Sequence, residues 1–105
     1  MYTICETPLF TKLAPDYWTD EEYEQFKTYL SINPEVGDVE PGTGGIRKIR
    51  WSTGHKGKRG GVRVIYYNRL ANGQIWLLTI YGKSATDQLP KTVLKQIVEA
   101  LNGTF

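Results

Sequence analysis

Three runs decide the fold: IRKIRW (46–51), VRVIYYNR (62–69) and QIWLLTIY (74–81). In the first, a period of two puts Ile49 and Trp51 with Arg47 on one face and Lys48 and Arg50 on the other, which reads as a β-strand with Ile49 and Trp51 in the core. In the second, Val62, Val64 and Tyr66 alternate with Arg63, Ile65, Tyr67 and Arg69. Asn72-Gly73 is a hairpin turn signal between it and the third run. That third run is almost continuously apolar, as expected of a central strand covered on both faces. Strict alternation puts Tyr81 and Lys83 on one face with Leu77 and Thr79.

The charge distribution is organised around the same region. Pro41 to Lys83 holds Arg47, Lys48, Arg50, Lys56, Lys58, Arg59, Arg63, Arg69 and Lys83 and no Asp or Glu, whereas Met1 to Glu40 has nine acidic residues against Lys12 and Lys27. The net charge of +2 therefore hides a dipolar molecule. A one-signed field of this kind attracts polyanions such as nucleic acid.

Outward from the strands, Tyr2 to Cys5 reads as a first strand, with Tyr2 and Ile4 on one face and Pro8 ending it. Phe10, Leu13 and Tyr17 recur at helical spacing, in a short helix broken at Pro15. Thr19 is an N-cap with Glu22 completing a capping box. Tyr23, Phe26, Tyr29 and Leu30 form the apolar stripe of a second helix, which ends near Ser31 before Asn33-Pro34. Val36 to Gly45 is rich in glycine and reads as a loop, as does STGHKGKRGG (52–61). Ser84 to Pro90 is a linker, and Val93, Leu94, Ile97, Val98 and Leu101 mark a closing amphipathic helix over Lys91 to Leu101. The expectation is one α+β domain over residues 1–105, mainly an antiparallel sheet, with two N-terminal helices and a C-terminal helix packed to one side of it.

Several function classes are disfavoured. No apolar run reaches the roughly 20 residues of a membrane span, and MYTICETPLF lacks the plan of a signal peptide, so the expected location is cytoplasmic, with no membrane partner. Cys5 is the lone cysteine and His55 the lone histidine. No metal site and no cofactor are expected, and histidine-based nucleophilic catalysis would have to run through a Gly/Lys loop.

If the three strands are neighbours, Lys48, Arg50, Arg63, Tyr67, Tyr81 and Lys83 converge on one face. Cations that hold phosphates, mixed with rings that stack on unpaired bases, suit RNA. RNA also carries its own nucleophile, the 2′-hydroxyl. A protein need only orient it, stabilise the phosphorane and help protons move, with arginine forking onto two phosphate oxygens. A lysine crowded by like charges loses its proton more easily and can act as base.

GTGGIRKIRW (42–51), GKRGGVRVIYY (57–67) and WLLTIYGKSATDQL (76–89) resemble the HigB branch of the RelE/ParE superfamily of bacterial toxins. The resemblance implies a RelE-like fold and a type II toxin: a ribosome-dependent endoribonuclease that cuts mRNA in the A site and inhibits translation. It also implies a cognate antitoxin, usually a helix-turn-helix protein of HigA type. Lys48 and Arg50 match the basic pair of the first sheet strand in such toxins, Arg63 the arginine of the next strand, and Lys83 the basic position after the last strand. The implied catalytic set is Arg63, Lys83, Lys48 and Tyr81, with Arg50, Lys56, Lys58, Arg59, Arg47, Tyr67 and Arg69 binding RNA. Where RelE has a further arginine and then a C-terminal tyrosine, this chain has Ser84 and Leu89-Pro90; Tyr81 or Tyr67 is the substitute. A ParE-like toxin acting on gyrase and a non-catalytic RNA-binding module remain alternatives at this point.

Overall fold

The computed structural model describes residues 1–52, 61–82 and 89–103. Strands β1 (Thr3–Glu6), β2 (Asp38–Val39), β3 (Ile46–Trp51), β4 (Val62–Arg69) and β5 (Gln74–Gly82) form one sheet in the order β1-β5-β4-β3-β2. Only β1 runs parallel to its neighbour β5; the other pairs are antiparallel. The three charge-bearing strands are thus adjacent, with β4 in the middle. The short edge strand β2 lies inside the stretch whose glycines suggested only loop.

Helices α1 (Pro8–Leu13) and α2 (Asp20–Ile32) cover one face. Pro8 opens α1, because its missing N–H is one that a first helical turn leaves unpaired anyway. Thr7 caps that helix by accepting from the Phe10 N–H at 3.1 Å and donates its hydroxyl to the Leu78 carbonyl at 2.8 Å, which ties α1 to β5. A 3₁₀ turn at Ala14–Asp16 absorbs Pro15. The capping box at Thr19 and Glu22 is formed in both directions, at 3.2 and 2.8 Å. Phe10, Trp18, Phe26 and Leu30 then bury against Ile49, Val62, Val64, Tyr66, Ile75, Leu77 and Ile80. Trp18 lies 4.9 Å from Phe26, and Phe26 meets Trp51 edge-on at 5.3 Å.

Helix α3 (Lys91–Asn102) covers the opposite face, so the helices do not share one side of the sheet. The reason lies in β3, β4 and β5, which carry apolar residues at both parities. Ile46, Ile65 and Leu78 point away from α1 and α2, and one-sided packing would leave them in water; Leu94 and Val98 bury them instead. Strict alternation also fails in β5. Ile65 pairs with Thr79 and Tyr66 with Leu77, leaving Leu78 as the extra residue of a β-bulge. Leu77 therefore joins Ile75 and Ile80 in the first core, while Leu78, Thr79 and Tyr81 face the α3 side.

Candidate functional site

Cross-strand register arranges the α3 side in rows. Ile46, Tyr67 and Trp76 make one row, Lys48, Ile65 and Thr79 the next, and Arg50, Arg63 and Tyr81 the last. Adjacent strands lie about 4.8 Å apart, so Arg50 and Arg63 stand as direct cross-strand neighbours. This pairing concentrates positive charge at one end of the sheet. The apolar side chains of α3 pack over Ile46, Ile65 and Leu78, while Arg50 remains exposed and Arg63 partly so. A cleft opens where the start of α3 meets the sheet, lined by Glu40, Thr43, Lys48, Ile65, Thr79, Tyr81, Leu89, Lys91 and Leu94.

Three of these residues were not singled out in the sequence, Glu40, Thr43 and Lys91. Glu40 precedes the acid-free stretch by one position, and the turn from 40 to 46 folds it back over β3. Its N–H donates to the Ile46 carbonyl at 2.7 Å, and its own carbonyl accepts from the Thr43 hydroxyl at 2.7 Å. The Glu40 carboxylate then pairs with Lys48, Nζ to Oε1 at 2.9 Å. Lys91 donates Nζ to the Pro41 carbonyl at 3.3 Å and so ties α3 to the same turn.

Glu40 alters the expected chemistry of Lys48. The hydrogen bond that Lys48 donates to Glu40 raises the Lys48 pKa, and it outweighs the lowering by burial and the smaller repulsion from Arg63, so the net shift is upward. Lys48 is thereby held as a cation suited to a phosphate, which favours a binding role over a proton-accepting one at this position.

The other residues separate. Tyr81 is 7% exposed and packs with Leu94, presenting only an edge to the cleft. Tyr67 lies in the row farthest from the arginines, where its hydroxyl accepts from Asn102 Nδ2 at 2.9 Å and fastens the end of α3. Arg47 does not join the basic face. It points to the opposite side, and its guanidinium donates to the Glu35 and Gly37 carbonyls at 3.1 and 2.7 Å, the consequence of its parity with Ile49. Arg69 also stands apart: at about 3.3 Å per residue it is roughly 20 Å along β4 from Arg63. It reaches Gln74 Oε1 at 3.4 Å. Lys56, Lys58, Arg59 and Lys83 lie outside the described residues.

Chemically, the described residues at this end of the sheet bring together two guanidiniums, an ammonium and a phenol, an arrangement that can grip and polarise a phosphodiester. Among the described residues no three of His, Cys, Asp and Glu are grouped to hold a metal ion, and no helix is long and apolar enough to cross a membrane. No protein-family model matches the sequence. Among solved structures the fold is similar to that of the isolated E. coli RelE toxin, with a TM-score of 0.63 and 12% identity, covering 96% of this chain and 99% of that one. At that identity the likeness establishes a RelE-like fold and nothing of the chemistry.

Proposed function

We propose that the protein is the toxin of a type II toxin-antitoxin module, of the HigB branch, and that it cuts mRNA in the ribosomal A site. The observation that carries the reading is the Arg50–Arg63–Tyr81 row at the end of the sheet, in which Arg50 is exposed, with Lys48 in the adjacent row, on a RelE-like fold. In this mechanism Arg63 stabilises charge on the phosphorane while Arg50 and Lys48 grip the scissile phosphate and its neighbour. Lys83 takes the 2′-hydroxyl proton. The 2′-oxygen bonds to phosphorus, the P–O5′ bond breaks, and the products are a 2′,3′-cyclic phosphate and a 5′-hydroxyl that gains a proton from water. Tyr81 orients the sugar from the cleft edge. Lys56, Lys58 and Arg59 contact the ribosomal RNA backbone as diffuse, sequence-independent charges.

The described residues bring no histidine to the site, so their intrinsic acid-base power is weak, which supports dependence on the ribosome to align the substrate. The neutralising partner in this reading is a cognate antitoxin of the helix-turn-helix, HigA type, acting in the cytoplasm. The test is cleavage of a defined mRNA in a purified translation system, with and without ribosomes, with the product ends identified. Codon-phased cuts that need ribosomes and leave cyclic phosphates are expected. Absence of cuts together with inhibition of gyrase would replace the reading with a ParE-like one, and salt-sensitive RNA binding with no cuts would replace it with a binding module.

A further inference from the structure

The acid-free stretch acquires a carboxylate only through folding, and that carboxylate sits on the cation a substrate phosphate would use. We propose that Glu40 is a specificity-determining residue of the basic face, an internal competitor that occupies Lys48 in the free protein and so refuses RNA that nothing else holds in place. The inference rests on the reading that the ligand is RNA.

The geometry is that of a fixed group. The turn bearing Glu40 is closed by the Glu40 N–H on the Ile46 carbonyl at 2.7 Å, and the Thr43 hydroxyl spans it, donating to the Glu40 carbonyl at 2.7 Å and accepting from the Ile46 N–H at 3.2 Å. Thr43 is 1% exposed, so these bonds are shielded from water. Lys91 holds the turn from the side of α3. The carboxylate is thereby presented to Lys48 at 2.9 Å, in a cleft it shares with Thr79 and Tyr81.

A phosphate arriving on Arg50 and Arg63 must take Lys48 from Glu40 and then lie beside a carboxylate that has lost its partner. Free RNA must meet that cost from its own contacts. RNA delivered on a ribosome is positioned by contacts made elsewhere and meets it from those.

The test is binding of a fluorescent single-stranded RNA oligonucleotide to the full-length protein over a range of salt, for wild type, E40Q, K48M, E40Q/K48M and E21Q, each checked for an unchanged melting transition. E21Q removes one negative charge from the outer face of α2 and controls for net charge. E40Q is expected to bind about threefold to tenfold tighter. Its slope of log affinity against log salt should steepen by about 0.7, the increment for one freed cation on a single strand. E21Q should match wild type, and the gain should vanish in E40Q/K48M compared with K48M. Unchanged affinity in E40Q, an equal gain in E21Q, or a gain that survives loss of Lys48 would each overturn the proposal. So would tighter binding with ribosome-dependent cutting lost more than about 100-fold, which would make Glu40 a proton acceptor. If wild type cuts on ribosomes while these binding differences fail to appear, the inference alone is wrong. If wild type neither binds RNA nor cuts, the functional reading is wrong and the inference falls with it.

Discussion

The two faces of the sheet are built from the same three strands and serve opposite ends. Toward α1 and α2 nearly every position is apolar, and the aromatic chain of Phe10, Trp18, Phe26 and Trp51 closes over it. Among the described residues the arginine pointing there is Arg47, whose guanidinium donates to two backbone carbonyls. Toward α3 the apolar cluster of the described residues gives way to charge, and the last row carries Arg50 beside Arg63. One face concentrates the apolar burial of the domain, while the other carries paired arginines at its end.

That contrast predicts a gradient of stability effects. The largest belongs to Phe26, fully buried at the centre of the first face: Phe26→Ala should cost about 3–5 kcal/mol in chemical denaturation. A loss no greater than that of a substitution on the α3 side would erase the distinction. Next is Tyr66, whose buried hydroxyl accepts from the Gly37 N–H at 2.8 Å and donates to the Pro34 carbonyl at 2.9 Å. Tyr66→Phe strands a buried N–H and should cost about 1–3 kcal/mol. Gly37 is held to glycine by the same contact, since a Cβ there would lie 2.8 Å from that hydroxyl.

The first face also sets the alkaline limit. Burial pushes the phenols of Tyr23 and Tyr66 above their ordinary value of 10.0, and at Tyr23 the hydrogen bond to the Glu6 carboxylate adds to it. Above pH 10.0 the unfolded chain gives up these protons and the folded chain keeps them, so stability present below that pH is lost as pH rises. Tyr23→Phe should flatten the decline in stability measured between neutral and strongly alkaline pH. The smallest effect belongs to the α3 side. Lys48 and Glu40 are 39% and 23% exposed, and breaking that screened pair with Lys48→Gln should change stability by less than about 1 kcal/mol while weakening RNA binding.

Much of this was legible in the sequence, and the failures have physical causes. The parity of β3 and β4 is borne out residue by residue, as is the capping box that starts α2. The apolar run QIWLLTIY already implied a strand covered on both faces, yet the order of elements suggested helices on one side of the sheet and hid the position of α3. The bulge at Leu78 left no local mark, because QIWLLTIY is apolar at both parities and a one-residue insertion changes no pattern. Glu40 escaped notice because sequence distance from the basic strands concealed what the turn from 40 to 46 does. Arg47 shows the converse: composition grouped it with Arg50 and Arg63, whereas its parity with Ile49 separated it.

The most direct test compares two arginines on opposite faces. Arg63→Ala and Arg47→Ala each remove one positive charge, and both are assayed for mRNA cutting in the same purified translation system. The account predicts a loss of about 100-fold or more for Arg63→Ala, the magnitude expected when a charge-stabilising group is removed. Arg47→Ala should cut within about threefold of wild type at a temperature where it is folded, since its cost is structural. Equal losses in the two variants, or full cutting by Arg63→Ala, would contradict the assignment of function to the α3 side.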